Sequence, residues 1–285
     1  MVAGRLRDAH GLGAEAIEIV VIRTTGDRVQ DRALAEVGGK ALWTKELDRA
    51  LLDGAIDLAV HSMKDVETIR PAEIAIAALP PRADVRDRLI GAESLAALPA
   101  GARVGTSSPR RAAQVRRARP DARIVLFRGN VDTRLAKLAA GEAEATLLAA
   151  AGLDRLGRAE VGTALPVGEM LPAPAQGAVG VEVRAADAAT QALVAAIDHP
   201  PTRTAVRAER ALLAALGADC RSPVAALAEV EGEELRLRAE LLTEDGALHV
   251  AGEARMGWDE AAGPAALAAR LLDGAPPALA RLFGR

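Results

Sequence analysis

Cysteine is nearly absent: Cys220 stands alone among 285 residues. A single thiol excludes an internal disulfide and any zinc site built from several cysteines. It fits a reducing compartment. Tyrosine is missing, and two phenylalanines with two tryptophans make an aromatic share of 1%. That is too little for a base-stacking nucleic-acid platform. The histidines are His10, His61, His199 and His249. No two lie three to five residues apart, so there is no helical metal pair and no metal is expected. Lysine is confined to Lys40, Lys45, Lys64 and Lys137, although basic residues total 36. A formal net charge of −3 gives no reason to expect a nucleic-acid partner. Runs such as "TLLAAAGL" fall far short of the roughly 20 apolar residues that span a bilayer. "MVAGRLRDAHGLG" has no apolar signal core. The chain reads as cytoplasmic and free of membrane. G-x-G-x-x-G, a Walker loop and G-x-S-x-G are also missing, which removes the commonest dinucleotide, phosphate-loop and serine-hydrolase signatures.

What is present is a regular alternation. "AIEIVVIRT" (16–24) is β-branched and reads as a strand. "TGDRVQDRALAEVGGK" (25–40) has glycines near both ends and weak periodicity, so it reads as a mobile loop. In the helix that follows, Thr44 is the expected N-cap and Gly54 the stop, with Trp43, Leu47, Ala50 and Leu51 on one face. "IDLAVHS" (56–62) and "AEIAIAALP" (72–80) are strands. From residue 103, "ARVGT", "ARIVLF" and "EATLLAA" alternate with two helices, which predicts β-α-β units and a mostly parallel sheet. "GAVGVEVR" (177–184) is another strand, followed by helices from Asp187 and over 202–216. Beyond Cys220 an antiparallel meander is expected, then two short helices broken at Pro276 and Pro277. The chain is thus an α/β part of about 200 residues with a small α+β tail, and Cys220 lies at the junction.

Three constellations carry chemistry. In "VGTSSPRRAAQ" (104–114) a strand ends, Ser107 or Ser108 caps a helix, and Pro109 takes its first position. Free N–H groups make that helix start an anion site. Arg110 and Arg111 in the first turn are unfavourable there unless an anion sits beside them; the alternative is a solvated helix start. "LFRGNVDTRL" (126–135) repeats the geometry with Arg128 and Arg134, its helix starting near Asp132. Four guanidiniums round one crevice would suit a ligand with several carboxylates. In "AVHSMKDVET" (59–68), Ser62, Lys64 and Asp65 close a strand. Lys64–Asp65 is either a plain ion pair or a catalytic carboxylate with its neighbour. Cys220, in the loop "GADCRSP", is either a buried small residue or a nucleophile whose thiolate Arg221 favours.

Taken together, "GGKALWTKELDRALLDGAIDLAVHSMKDV", "GTSSPRR", "RGNVDTRLAKL", "AAAGLDRLG", "LPAPAQGAVGVEVR" and "AERALLAALGADCRSPVAALA" resemble the hydroxymethylbilane synthase (porphobilinogen deaminase) family over nearly the whole chain. The resemblance implies a transferase of porphyrin and haem biosynthesis, acting as a monomer. It would join four porphobilinogen molecules head to tail with loss of ammonia, giving hydroxymethylbilane. It implies a dipyrromethane cofactor held by a thioether to Cys220, and Asp65 as the catalytic carboxylate. Ser62, Lys64, Thr106, Ser107, Ser108, Arg110, Arg111, Arg128, Arg134, Arg155, Gln176 and Arg184 would bind cofactor and substrate. Asp27, Lys40 and Trp43 would belong to the mobile loop. The implied fold is α/β: two periplasmic-binding-protein-like α/β domains with mixed sheets, 1–79 with 177–197 and 84–171. A third domain, 200–285, would be α+β around a three-stranded antiparallel sheet.

The chain departs from the family pattern in places. The family opens with a strand resembling "R-I-G-T-R-x-S-x-L-A-L-x-Q", whereas this sequence begins in what resembles the following helix. The expectation is that the N-terminal strand of the first domain is missing, through an upstream start or a truncation. Glu36, Glu67 and Ala175 are smaller departures. Two other readings compete: a truncated non-catalytic form, and a small-anion binding protein of the same architecture.

Overall fold

The computed structural model describes residues 1–24 and 44–283. The expected mobile loop, with Asp27, Lys40 and Trp43, lies outside the described residues. Helix α1 (Val2–His10) buries Val2 and Leu6 and ends at Gly11, whose φ of 63° suits a left-handed cap. The strand expected over 16–24 does not form. Residues 14–16 make a single 3₁₀ turn and 17–24 carry no ladder. Ile19, Val20 and Val21 are 73%, 52% and 84% exposed. β-Branched residues favour a strand only where a neighbour supplies hydrogen bonds and packing, and no described strand pairs with this stretch.

Helix α2 (Lys45–Leu52) follows Thr44. The Thr44 hydroxyl does not cap it, but donates to both Glu67 oxygens at 2.7 and 2.9 Å. Strands β1 (Leu58–Ser62) and β2 (Ile74–Ala78) flank β8 (Val179–Arg184) in an antiparallel sheet ordered β1-β8-β2. Helix α6 (Ala188–Ala195), capped by Asp187, closes this unit. The central strand β8 reads Val-Gly-Val-Glu-Val-Arg, buried at five of six positions. Its Gly180 lets Met63 pack close: a Cβ there would overlap Met63 Sδ and force that buried side chain to shift.

A second sheet runs β5-β4-β6-β3-β7: β3 (Asp87–Ile90), β4 (Arg103–Thr106), β5 (Arg123–Leu126), β6 (Ala145–Ala149) and β7 (Thr163–Ala164). β4 is parallel to β5 and β6, whereas β3 is antiparallel to β6 and β7. The expected mostly parallel sheet is therefore mixed, because β3 enters from the first unit without a crossover helix. Helices α3 (Pro109–Ala118), α4 (Val131–Ala139) and α5 (Ala150–Arg155) connect or follow its strands. Ser108 caps α3 with Pro109 at the first position, and Asn130 caps α4 one residue before its start.

The third unit is the expected meander, β9 (Val224–Glu231), β10 (Glu234–Leu242) and β11 (His249–Gly257), ordered β11-β10-β9. Helices α7 (Pro200–Ala215) and α8 (Gly263–Asp273) pack on it, and α9 (Pro277–Ala280) follows. Each sheet has its own buried cluster: Val181, Val183 and Val194 in the first, Leu89, Val104 and Leu147 in the second, Leu212, Leu237 and Leu241 in the third. Among the described residues no helix is long and apolar enough to cross a membrane.

Candidate active site

The three units meet at a cleft enclosing about 1130 Å³, mouth included. β1 delivers Lys64 and Asp65 in the 3₁₀ turn at its carboxyl end. The β4–α3 junction delivers Ser107, Ser108, Arg110 and Arg111, and α4 delivers Arg134. The segment 173–176 ends in Gln176, and the loop after α7 brings Cys220. Nine residues expected from the sequence thus line one space. Thr106, buried beneath it, accepts from Ser108 N through its hydroxyl at 3.1 Å. Arg128 is buried near Arg134, whose charge it opposes. Ser62, Arg155 and Arg184 do not line the cleft. Arg155 donates to Gly177 O at 3.2 Å. Arg184 is held by Leu51 O, Ile56 O and Asp187 at 2.9, 2.8 and 2.9 Å.

The anion expected beside Arg110 and Arg111 turns out to be part of the chain. Asp87, fully buried at the start of β3, accepts from Arg111 Nη2 at 2.7 Å and lies 2.8 Å from Arg110 Nη2. Gln176 Nε2 adds a donor at 3.0 Å. Burial alone would raise the Asp87 carboxyl; the two guanidiniums overcome it and hold it well below the usual carboxylate range. Arg110 Nε and Gln176 Oε1 remain buried without a partner. Ala175, beside Gln176, sits at φ 61°, a strained conformation for a residue with a side chain.

The remaining charges shape the chemistry. Burial pulls the Lys64 ammonium down to about 8, with Asp65 resisting. Burial raises the Asp65 carboxyl above its ordinary value, against the pull of Lys64, Arg134 and Arg111. Burial and then Arg111 lower Arg134 to about 10. Cys220 is open to the cleft, yet the protein around its sulfur displaces water. That effect, then the Asp219 and Asp65 carboxylates, push the thiol up to about 11. Arg221 does favour the thiolate, but its guanidinium is paired with Asp219 at 2.9 Å, and burial together with the two carboxylates outweighs it at the sulfur.

Sequence reasoning missed Asp87, Arg210, and a buried network behind β1. There Arg70 bridges Glu182 by two bonds of 2.8 Å, Glu67 at 2.6 Å, and Asp48. His61 Nε2 lies 3.0 Å from Glu182. Asp48, His61 and Glu182 are close enough to share an ion; Arg70 already supplies the counter-charge. A Glu inside the apolar run of β8 was the available signal.

Fold and cleft define a class: an α/β protein with a basic cleft between units, a carboxylate on one wall and a reachable thiol on another. Residues 1–192 match the model of the porphobilinogen deaminase dipyromethane cofactor binding domain, and residues 203–272 match the porphobilinogen deaminase C-terminal domain. A porphobilinogen deaminase of Sphingopyxis alaskensis is 63% identical over 289 positions, covering 99% of this chain and 91% of that protein. Another, of Paracoccus denitrificans, is 54% identical over 252 positions, covering 87% and 80%. The chain belongs to the porphobilinogen deaminase family. Among solved structures, it is similar to the periplasmic VFT2 domain of Bordetella pertussis BvgS, with 16% identity and a TM-score of 0.36 over 69% of this chain and 74% of that one.

Proposed function

We infer that the chain is a hydroxymethylbilane synthase, condensing four porphobilinogen molecules head to tail with release of ammonia. Family membership carries the reaction. The single observation that carries the residue roles is that Lys64, Asp65, Arg110, Arg111, Arg134 and Cys220 line one cleft. The three sheets with separate cores support the division into 1–79 with 177–197, 84–171, and 200–285. The enzyme acts in the cytoplasm as a monomer, on a small-molecule substrate, without nucleic acid or membrane.

The cleft fits the dipyrromethane cofactor that the family implies. The Cys220 thiol is free and exposed, the facing wall carries guanidiniums, and Arg110 Nε and Gln176 Oε1 await a partner. When bound through a thioether to Cys220 Sγ, that group supplies the anchored pyrrole that the substrate extends. Arg110, Arg111, Arg134 and Lys64 bind the acetate and propionate groups, two per pyrrole; forked guanidiniums suit that geometry. Ser107 and Ser108 orient carboxylates at the start of α3. The Asp65 carboxylate faces the positive charge that develops as porphobilinogen loses ammonia, and such a preorganised charge pair lowers the barrier. Because burial raises its pKa, Asp65 Oδ is also a better proton acceptor than a solvated carboxylate.

Incubation with porphobilinogen, followed by intact-mass measurement, tests this reading. Successive additions of single pyrrole units to the enzyme, with ammonia and hydroxymethylbilane released, are expected. A protein that binds porphobilinogen without releasing ammonia would be a receptor instead.

A further inference from the structure

Asp65 and Cys220 belong to different units, and nothing in the sequence connects them across the intervening 150 or so residues. The segment just after Asp65 and the segment just before Cys220 are nevertheless tied together twice. Arg210, on α7, points its guanidinium at the backbone after Asp65. Nη1 donates to Val66 O at 3.3 Å, and Nη2 donates to Glu67 O at 2.7 Å and Thr68 O at 3.0 Å. Thr68 then sends its hydroxyl the other way, to Ala218 O at 2.8 Å. Ala218 is two residues from the thiol, and Arg210 lies on the helix that leads into its loop. Both Thr68 and Arg210 line the cleft between the two functional groups.

These bonds are not generic filler. A buried carbonyl is costly to leave without a donor, and a loop such as 66–68 has no ladder to satisfy its own. One guanidinium satisfies all three carbonyls from a neighbouring unit. Its placement is fixed in turn by Glu209, the preceding residue, which is fully buried and holds Arg82, Ala175 N and Ala228 N. Burial lowers the Arg210 guanidinium, with Glu182 pulling it back, as befits a cation that serves the protein interior.

Resting on the proposed roles of Asp65 and Cys220, we propose that Thr68 and Arg210 are positioning residues: a two-point strap that keeps the catalytic carboxylate in register with the cofactor-bearing loop. Small errors in the placement of a catalytic group cost large factors in rate, so the strap acts on turnover rather than on substrate capture.

The test uses the cofactor-loaded full chain. Thr68→Val removes the hydroxyl with little change of shape, and Thr68→Ser keeps it. Thr68→Val is expected to lower kcat three- to tenfold with KM within twofold of wild type. It should also raise amide hydrogen exchange in peptides covering both 64–70 and 216–223. Thr68→Ser should restore both readouts. Arg210→Lys should lower kcat similarly, again with KM little changed. Unaltered kcat and exchange in Thr68→Val, or a serine variant no better than the valine one, would overturn the strap. A raised KM with kcat retained in Arg210→Lys would also overturn it, making that residue a substrate ligand. Asp65→Asn and Cys220→Ser are run alongside. If they collapse while the strap variants behave as wild type, only the strap fails; if they do not, the reading beneath it fails.

Discussion

Arg111 closes on one oxygen of Asp87 with both Nε and Nη2, at 3.1 and 2.7 Å, while Arg110 takes the other oxygen. A fully buried carboxylate thus carries two nearly buried guanidiniums that also face the cleft. The protein holds two cleft-lining cations in place with an anion of its own.

Asp87→Asn keeps the shape and removes the charge. Stripping one partner from a buried ion cluster typically costs about 3–5 kcal/mol, so the variant should lose that order of stability in urea or thermal unfolding. Folding holds the Asp87 carboxyl below its free value of about 4. Its contribution is therefore fully present above that pH and is lost as pH falls through the folded pKa. The gap between wild type and Asp87→Asn should be constant from about pH 5 to 8 and should narrow in more acidic buffer. A gap that widens on acidification would contradict the pairing.

Cys220→Ser should abolish covalent loading. Wild-type protein from cells that make porphobilinogen should carry the mass of two porphobilinogen-derived units, and the serine variant none. The thiol is pushed up to about 11, so alkylation of any unloaded Cys220 should be slow at neutral pH and should accelerate up to that region. Fast alkylation at pH 7 would show that Asp219 and Asp65 do not govern the sulfur.

Asp65→Asn should leave the cofactor attached while turnover falls by roughly two to three orders of magnitude, the usual loss when one charge-stabilising group is removed. The pH profile follows from its neighbours. In the proposed role Asp65 works ionised, so activity should fall on the acid side through a pKa raised above the ordinary carboxylate value. Lys64, in its proposed role, works charged, so activity should fall on the basic side near its lowered value of about 8. Lys64→Arg should push the basic limb outward, and an unmoved limb would assign it to another group.

Much of this was legible in the sequence, for a local reason. Ser108-Pro109 marks a helix start by its own backbone chemistry, and the turns "EGEE" and "EDG" delimit the meander. Their signals need no distant partner. The 16–24 stretch misleads because its Ile and Val residues state only a preference, and pairing requires a second strand. Arg110 and Arg111 advertised an anion, but Asp87, 24 positions before Arg111, is joined to them only by the tertiary fold. Arg221 told only part of the story: its pull on the thiol is outweighed by burial and by the equally adjacent Asp219 that pairs with it. Arg210 left a weaker trace, a Glu-Arg pair just ahead of the apolar run Ala211–Ala215 of α7. Such a pair on a buried helix face signals polar partners brought from elsewhere.

Glu209 offers the sharpest stability test of how the units join. Its carboxylate is fully buried on α7. It receives Arg82 Nη1 and Nη2 at 2.7 and 3.0 Å from the irregular segment leading into the second unit. It also receives the backbone N–H of Ala175, on the return crossing, and that of Ala228 on β9 at 2.7 Å. One side chain therefore touches both connections between the first two units and the sheet of the third. Glu209→Gln keeps the length but offers one acceptor oxygen and an NH₂ that points a donor at donors. The expected loss is about 3–5 kcal/mol, because Arg82 is left buried without its counter-charge. Arg82→Ala in the same background should add little, since the interaction is already gone and paired sites are not additive. Full additivity of the two losses in a double-mutant cycle would mean that Arg82 and Glu209 do not act as a pair.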